Sequence, residues 1–140
     1  MKARVKLAGG MQFVGRAESG HAVLMDAAPG VGGEDSAPRP MELVLIGLGG
    51  CTGMDVVSIL RKMRLNWERF EILLEAERAP DHPKIFTKIH LVYRIWGEVP
   101  QEKLKRAIEL SLERYCPVTA MLRRAAEITY DYEINPSDSD

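Results

Sequence analysis

Two stretches of the chain alternate between apolar and polar residues, a pattern typical of β-strands with one buried face. They cover residues 68–79 and 85–97, and the short segment "APDHP" joins them. The faces predicted to be buried carry Phe70, Ile72, Leu74 and Ala76 in the first stretch, and Ile85, Thr87, Ile89, Leu91, Tyr93 and Ile95 in the second. We therefore expect two long antiparallel strands with one side buried and one side in water.

Shorter strands are predicted near both ends of the chain. Before the long strands, the candidates are residues 2–8, 11–17 and 21–26, which are separated by the turn-forming pairs Gly9-Gly10 and Ser19-Gly20. After them, the stretch "EITYDYEI" alternates in the same way and predicts a final strand.

A long helix is predicted to begin at Pro40 and to end near Leu65. Glu42 falls in its first turn and cations lie in its last turn, where the helix dipole favours each charge. The second half of this helix is amphipathic, whereas the first half is apolar all round. We expect the first half to be covered on all sides.

Two further helices are predicted before the final strand. Pro100 opens the first of them, whose apolar residues recur at helical spacing: Leu104, Ala107, Ile108, Leu112 and Tyr115. This helix ends at Cys116, because the residue before a proline disfavours helical geometry. Pro117 then begins a shorter helix, which places Cys116 at its N-cap.

The order of these segments indicates an α+β fold with a mostly antiparallel sheet and helices on one face. At 140 residues the chain fits a single domain. Residues 27–39 concentrate proline and glycine without a period, so we expect an irregular, exposed loop there. We expect residues 135–140 to form a frayed tail.

The stretch "GLGGCTGMD" places a lone thiol, Cys51, among four glycines inside the long helix: Gly47, Gly49, Gly50 and Gly53. Each glycine costs a helix interior roughly 1 kcal/mol relative to alanine, so the glycines require a compensating interaction. Small residues one turn apart allow another backbone to approach closely. We predict a second structural element beside Cys51, and we interpret it as the same helix of a partner in a homodimer.

The charge balance excludes several classes of partner. Nineteen basic and 20 acidic residues leave a net charge of -1 and no basic surface for nucleic acid. The longest uncharged run spans the twelve residues between Glu42 and Asp55, which is short of the roughly 20 that cross a bilayer. The N-terminus lacks the apolar core of a signal peptide. We therefore expect a cytoplasmic protein with no membrane partner.

Two cysteines leave three readings open: inert core thiols, a redox pair, or a nucleophile with an unrelated second thiol. Cys116 lies where unpaired N–H groups at a helix start stabilise a thiolate. Cys51 has no cation on its own helix before Arg61, and burial alone raises the pKa of a thiol. Activation of Cys51 therefore requires a base or a cation from elsewhere.

No cofactor or metal site is predicted. The three histidines lie in a strand start, a turn and a strand, without the local spacing of a zinc site. The segment "GLGGCTG" lacks the register of a dinucleotide-binding loop and the lysine of a phosphate-binding loop.

The segments "APRPMELVLIGLGGCTGMDVVSIL" and "ERYCPVTAML" resemble the OsmC/Ohr family, the osmotically induced protein C and organic hydroperoxide resistance proteins. With "MDAAPGVGG" and "FTKIHLVYRI" included, nearly the whole chain looks most like the YhfA-like branch of that family. The resemblance implies an OsmC-like fold, in which mostly antiparallel sheets pack on a long central helix. It also implies an intertwined homodimer with active sites at the subunit boundary.

In the family's peroxidases the first cysteine attacks an organic hydroperoxide and the second captures the resulting sulfenic acid as a disulfide. The resemblance therefore implies that Cys51 attacks and Cys116 resolves, and that a dithiol reductant regenerates the pair. Two alternatives stay open: a non-catalytic member of the fold that binds an apolar small molecule, and a thiol redox sensor.

The activating residues match the family less well. Its peroxidases pair an arginine with a glutamate ten positions before the first cysteine, where this chain has Met41. Glu42 would lie about 14 Å along a straight helix from Cys51 and on the opposite side. It can contribute only if the helix is broken at its start or if it acts across the dimer. Otherwise it is a solvated first-turn carboxylate.

The activating arginine has two candidates, Arg16 in the N-terminal strands and Arg39 just before the helix. Either is alternatively a surface cation.

Overall fold

A computed structural model describes residues 1–137 of the chain. The chain divides into two compact units, Met1–Ile46 and Gly47–Asp140. The division into units does not test the expectation of a single domain, which stays a prediction. The described residues form both helices and strands, and the strands make two three-stranded sheets, so the α+β class is confirmed.

The first unit contains the three short strands that the turn signals predicted. They are β1 (Ala3–Gly9), β2 (Gln12–Ala17) and β3 (Ala22–Met25), and they form an antiparallel sheet in the order β1-β2-β3. Large apolar side chains on this sheet are exposed in the single chain: Val5, Leu7, Val23 and Leu24.

A buried carboxylate organises the loop that follows β3. Asp26 is only 2% exposed, and its carboxylate accepts hydrogen bonds from the amides of Ala27, Glu34 and Ser36. The Ser36 hydroxyl also donates to it, at 2.7 Å. The loop is irregular apart from one 3₁₀ turn, Pro29–Val31, as its composition predicted. Asp26 gives it a defined shape that composition did not predict.

The long helix α1 (Pro40–Lys62) begins at the predicted proline and continues into the second unit. It ends three residues before Leu65, and Arg64 beyond its end adopts a left-handed φ of 61° that no helix can continue. The expectation that its first half is covered on all sides is wrong for the single chain. Val44, Ile46 and Met54 are 39%, 58% and 75% exposed.

The second unit contains a mixed sheet in the order β4-β5-β6. Strands β4 (Arg69–Arg78) and β5 (Phe86–Trp96) are antiparallel, as predicted, whereas β6 (Glu127–Ile134) runs parallel to β5. The parallel pairing requires a crossover connection, which the helical segment between β5 and β6 provides. Ile85 and Thr87 are exposed, contrary to expectation, because Ile85 precedes the strand and Thr87 lies at its start.

The crossover contains α2 (Gln101–Leu110), a π-helical segment (Ser111–Tyr115) and α3 (Pro117–Leu122). The expectation of one regular helix up to Cys116 is therefore wrong in its last turn. The wider π turn rotates its residues away from α-helical positions, so Tyr115, expected on the apolar face, is 52% exposed. Leu104, Ala107 and Ile108 of α2 are fully buried, as predicted.

The core of the second unit lies between α1, β5 and α2. The fully buried apolar side chains are Leu48, Val56 and Leu60 of α1, Ile89, Leu91, Tyr93 and Ile95 of β5, and Leu104, Ala107 and Ile108 of α2. By length and composition alone α1 would also suit a membrane span. The core helix of a soluble protein meets the same criterion, and α1 contributes three side chains to this core.

Two of the four glycines in α1 face a strand of the same chain. A Cβ at Gly49 would lie 2.9 Å from Cδ1 of Leu74, and one at Gly53 would lie 3.3 Å from Cδ1 of Ile72. The second element that the glycines predicted is therefore β4, and the interpretation that these two serve a helix of a partner chain is wrong. Gly47 and Gly50 face open space.

We expect Gly33→Ala to destabilise the first unit by about 2 kcal/mol or more. A Cβ at this position would lie 1.9 Å from the carbonyl oxygen of Ala27, which belongs to the backbone and cannot rotate away. Gly30→Ala is the matched control, because its Cβ meets nothing within 4 Å. Urea unfolding of both variants measures the difference, and equal midpoints would contradict the loop geometry.

We expect the stability supplied by Asp26 to disappear in acid. The Ser36 hydroxyl, followed by backbone amides, lowers the pKa of Asp26 from 3.8 to about 2. A carboxyl with a lowered folded-state pKa stabilises the fold above its ordinary pKa and loses that contribution as the pH falls through the lowered one. Asp26→Asn should therefore be less stable than wild type near pH 7, with the difference vanishing between about pH 4 and pH 2.

Urea unfolding across this pH range provides the test of Asp26. Asp81→Asn, which removes the same charge from an exposed turn, controls for net charge. A difference between Asp26→Asn and wild type that persists unchanged at pH 2 would argue against the carboxylate as the anchor.

Candidate functional site

The fold brings the two cysteines together. Cys51 lies in the middle of α1 and Cys116 lies between the π-helical segment and α3, 65 residues later. The Cys116 side chain lies close enough to Cys51 to raise the pKa of its thiol, and both are free thiols. Cys116 is 3% exposed, whereas Cys51 is half-buried. This proximity favours a redox pair among the three readings that the sequence leaves open, and the role of each thiol stays a prediction.

The first turn of α3 donates a backbone N–H to each sulfur. Cys116 is the N-cap of α3, as predicted, and its Sγ accepts from the amide of Thr119 at 3.3 Å. The preceding amide, that of Val118, donates to the Cys51 side chain. Two consecutive amides therefore hold the two sulfurs side by side at the start of one helix.

The surroundings of Cys51 oppose its ionisation. Burial is the largest effect that raises the pKa of the Cys51 thiol, followed by the hydrogen bond with Cys116, and the charge of Asp55 raises it further. The Val118 amide lowers the pKa but does not outweigh these effects. The expectation that burial raises the pKa of Cys51 is confirmed. The main causes that shift its pKa include no cation, so thiolate chemistry at Cys51 requires an added positive charge.

A chain of buried hydrogen bonds lies next to the cysteines. Thr52 Oγ1 is 2.8 Å from the Tyr93 hydroxyl and 2.7 Å from Ser111 Oγ, and Ser111 Oγ donates to Asp55 Oδ2 at 2.8 Å. Ser111 has a single hydroxyl proton, and it is used in the hydrogen bond to the Asp55 carboxylate. The hydrogen bond between Thr52 and Ser111 must therefore use the Thr52 proton, and the one between Tyr93 and Thr52 must use the Tyr93 proton. Burial raises the pKa of Tyr93, which keeps this donor protonated.

This network positions the two cysteine-bearing segments relative to one another. Thr52 and Asp55 follow Cys51 on α1, and Ser111 begins the π-helical segment that ends just before Cys116. The carbonyl oxygen of Ser111 also accepts the Cys116 amide at 2.8 Å. Ser111 therefore binds α1 through its side chain and Cys116 through its backbone.

Little in the sequence indicates this network. The sequence predicts an amphipathic second half of the long helix and places Tyr93 on the buried face of a strand, and it singles out no role for Ser111. One signal is available: hydroxyl and phenol groups occupy positions that the apolar periodicity predicts to be buried. Because buried polar groups need hydrogen-bond partners, such positions indicate a buried network.

The remaining candidates lie in the first unit or at its end. Arg16 is exposed and donates to the carbonyl of Gly20 at 2.9 Å. Arg39 is paired with Asp35 at 3.1 Å and with Glu42 at 3.5 Å. The structure thus brings Arg39 and Glu42 together. The role of either arginine towards Cys51 stays a prediction.

Glu42 has a structural partner at the start of α1. Its Oε1 accepts the backbone amide of Arg39 at 2.8 Å, as the third residue of a helix does in a capping box. This hydrogen bond is the main cause that lowers the pKa of Glu42, and the charge of Arg39 adds to it. Since α1 is continuous from Pro40, the break that the sequence required for Glu42 to approach Cys51 on its own helix is not present.

Histidine and acidic side chains approach one another on the outer sheet surface without forming a metal cluster. His90 contacts the Thr129 hydroxyl at 2.6 Å and Asp131 at 3.1 Å. Within the described part of the chain, no group of three or more His, Cys, Asp or Glu side chains is placed to hold a metal ion.

Comparison with known proteins identifies the family. The model of the OsmC-like protein family matches residues 33–131, a range that includes both cysteines. Protein YhfA of Escherichia coli strain K12 is 44% identical over 135 residues, covering 96% of this chain and 98% of its own. The chain belongs to the OsmC-like protein family.

Solved structures agree with this assignment. A hypothetical protein from Aquifex aeolicus VF5 is 30% identical, with a TM-score of 0.81 over 96% of this chain and 97% of its own. An organic hydroperoxide resistance protein OsmC from Legionella pneumophila is 17% identical, with a TM-score of 0.72 over 94% and 95% of the two chains. At that identity the second comparison establishes a shared fold.

We expect Ser111→Ala to destabilise the second unit by about 1–3 kcal/mol, because it leaves Thr52 and Asp55 without the group that joins them. Ser58→Ala on the exposed side of α1 is the matched control and should change the stability by less than about 0.5 kcal/mol. The free energies of unfolding in urea provide the comparison. Equal values for the two variants would refute the proposed role of the network.

Proposed function

We propose that this protein is a thiol-dependent peroxidase that reduces organic hydroperoxides through Cys51 and Cys116 in response to oxidative stress. The observation that carries this proposal is the proximity of the two free thiols, whose residues lie 65 positions apart. The protein acts in the cytoplasm as a homodimer, with active sites at the subunit boundary. A dithiol reductant restores the thiols after each turnover.

The reaction consists of two displacements at sulfur. The Cys51 thiolate attacks the outer oxygen of the hydroperoxide, the O–O bond breaks, and the alkoxide takes a proton and leaves as an alcohol. Cys51 is then a sulfenic acid. The Cys116 sulfur attacks it, its proton and the sulfenic hydroxyl leave as water, and a disulfide forms. The dithiol donor reduces this disulfide and is itself oxidised.

Contact between the thiols favours the second displacement. A resolving thiol must reach the sulfenic acid before further peroxide oxidises it irreversibly. Because the Cys116 side chain already touches Cys51, no large movement of either helix is needed. The amides of Val118 and Thr119 hold both sulfurs in place during the exchange.

The first displacement requires a cation that lowers the pKa of Cys51. We assign this role to a guanidinium at the subunit boundary, with Arg39 and Arg16 as the candidates. Arg39 is already paired with Glu42, which is the pairing that the family's peroxidases use to position their arginine. The shift from the usual glutamate position to Glu42, with Met41 in its place, distinguishes this chain from them.

The homodimer explains the apolar surface of the single chain. Val5, Leu7 and Val23 share one face of the first sheet and are all more than 40% exposed, as is Ile46 of α1. Isolated apolar residues are common on surfaces, whereas sets of this kind mark interfaces. We propose that a second copy of this chain covers them.

Several apolar residues that are close to the cysteines in sequence are exposed. They favour an organic hydroperoxide over hydrogen peroxide as the substrate. Met54, Tyr115 and Met121 are 75%, 52% and 64% exposed, within five residues of Cys51 or Cys116. Side chains of this type favour a substrate with a hydrocarbon group. The Legionella pneumophila relative, whose name specifies organic hydroperoxide resistance, has the same fold.

A second candidate function is the binding of an apolar small molecule without catalysis. One concavity in the first unit, with a volume of about 280 Å³, favours it, because six of its seven lining residues are apolar. They are Val5, Met11, Phe13, Met25, Ala27 and Pro40, and the seventh is Asp26. A redox sensor that forms the disulfide without turnover is the remaining alternative.

Treating the reduced protein with stoichiometric cumene hydroperoxide should join Cys51 to Cys116 and remove two hydrogens from the intact mass. Cys51→Ser should abolish this loss, because the attacking sulfur is absent. Repeated turnover with a dithiol separates a peroxidase from a sensor. Thiols that stay reduced under these conditions would rule out the peroxidase.

Native mass spectrometry of the same samples separates the remaining alternatives. If the protein is a peroxidase, we expect the native mass to be that of a homodimer without a bound organic molecule. A co-purifying lipid together with unreactive thiols would favour the binding function.

A further inference from the structure

One buried hydroxyl next to the cysteines has no hydrogen-bond partner. Thr119 is 0% exposed, and its Oγ1 is unpaired within the described residues 1–137. Buried side-chain polar atoms are nearly always paired in folded proteins. A threonine hydroxyl in a helix ordinarily bonds to a carbonyl three or four residues earlier. Thr119 makes no such hydrogen bond, and the Cys116 carbonyl three residues earlier accepts one from the amide of Ala120.

This hydroxyl belongs to the turn of α3 whose backbone amides contact the thiol pair. The backbone amide of Thr119 donates to Cys116 Sγ at 3.3 Å, and covalent geometry keeps Oγ1 within about 4 Å of its own amide nitrogen. Oγ1 is therefore no further than about 7 Å from the Cys116 sulfur. The neighbouring amide of Val118 contacts Cys51, so Thr119 belongs to the turn that touches both sulfurs.

We propose that the Thr119 hydroxyl hydrogen-bonds the oxygen atom that passes from the hydroperoxide to Cys51 and leaves when Cys116 attacks. This inference rests on the proposed peroxidase function and adds a third residue to it. In the reduced protein the hydroxyl is unpaired because that oxygen is not yet present.

The hydroxyl acts as a donor and is not consumed. When the Cys116 sulfur attacks the sulfenic acid of Cys51, the S–O bond breaks and the S–S bond forms. The Cys116 proton joins the departing hydroxyl to give water. A hydrogen bond from Thr119 stabilises the negative charge that develops on the departing oxygen, and Thr119 keeps its own proton.

A purely structural role would favour valine over threonine at this position. Valine has nearly the same shape as threonine, and it removes a buried hydroxyl that makes no hydrogen bond in the reduced protein. An unpaired polar group that costs stability is expected where the chemistry requires it. Stability and reaction rate should therefore change in opposite directions in Thr119→Val.

The experiment compares full-length Thr119→Val, Thr119→Ser and wild type after reduction and addition of stoichiometric cumene hydroperoxide. Intact mass measures the disulfide against time, and a 1,3-dicarbonyl probe traps the sulfenic acid. Thr119→Val should form the disulfide about tenfold more slowly, accumulate more trapped sulfenic acid, and unfold at the same or a higher urea concentration. Thr119→Ser retains the hydroxyl and should remain within about twofold of wild type.

Thr87→Val is the matched control, because Thr87 is exposed on β5 and bonds the carbonyl of Glu77. It should leave the rate unchanged. Disulfide formation at the wild-type rate in Thr119→Val would overturn the inference. If Thr119→Val fails to fold, Thr119→Ala replaces it, and disulfide formation at the wild-type rate in that variant would likewise overturn the inference.

The two proposals fail in different ways. If wild type forms no disulfide, the peroxidase function fails and the role of Thr119 falls with it. If wild type forms the disulfide and the valine variant matches its rate, only the role of Thr119 is refuted.

Discussion

The close approach of α1 to β4 is the constraint on which the second unit depends. Gly49 and Gly53 remove the side chains that would collide with Leu74 and Ile72, so the helix lies directly against the sheet. That contact buries Leu48, Val56 and Leu60 and places Thr52 within reach of Tyr93 on the adjacent strand. The helix-propensity cost of the two glycines, roughly 1 kcal/mol each, is offset by burial within the same chain.

Polar interactions determine where the second cysteine lies. Ser111 is bound by Thr52 through its hydroxyl, and its carbonyl accepts the Cys116 amide five residues later. The π-helical turn between them is the geometry that allows both contacts, and π-type turns occur frequently at functional sites. The buried network therefore defines the position of Cys116 opposite Cys51, while the amides of α3 define the orientation of the two sulfurs.

The single chain brings the two thiols together, but the surroundings of Cys51 oppose its ionisation. Burial and the nearby Asp55 charge both raise the pKa of Cys51, and Arg39 is paired with Asp35 and Glu42. In the homodimer that we propose, an arginine at the subunit boundary would supply the missing positive charge.

Alternation, helical spacing and prolines at helix starts are local signals, so they are enough to predict the order of strands and helices. The N-cap role of Cys116 and the raised pKa of a buried Cys51 are likewise predictable, because they follow from Pro117 and from an apolar helix. Tertiary packing is needed to show that β4 faces the glycines and that Thr52, Ser111 and Tyr93 share hydrogen bonds across 41 and 59 residues. Such contacts depend on how distant segments pack, and no local pattern specifies which buried hydroxyl meets which partner.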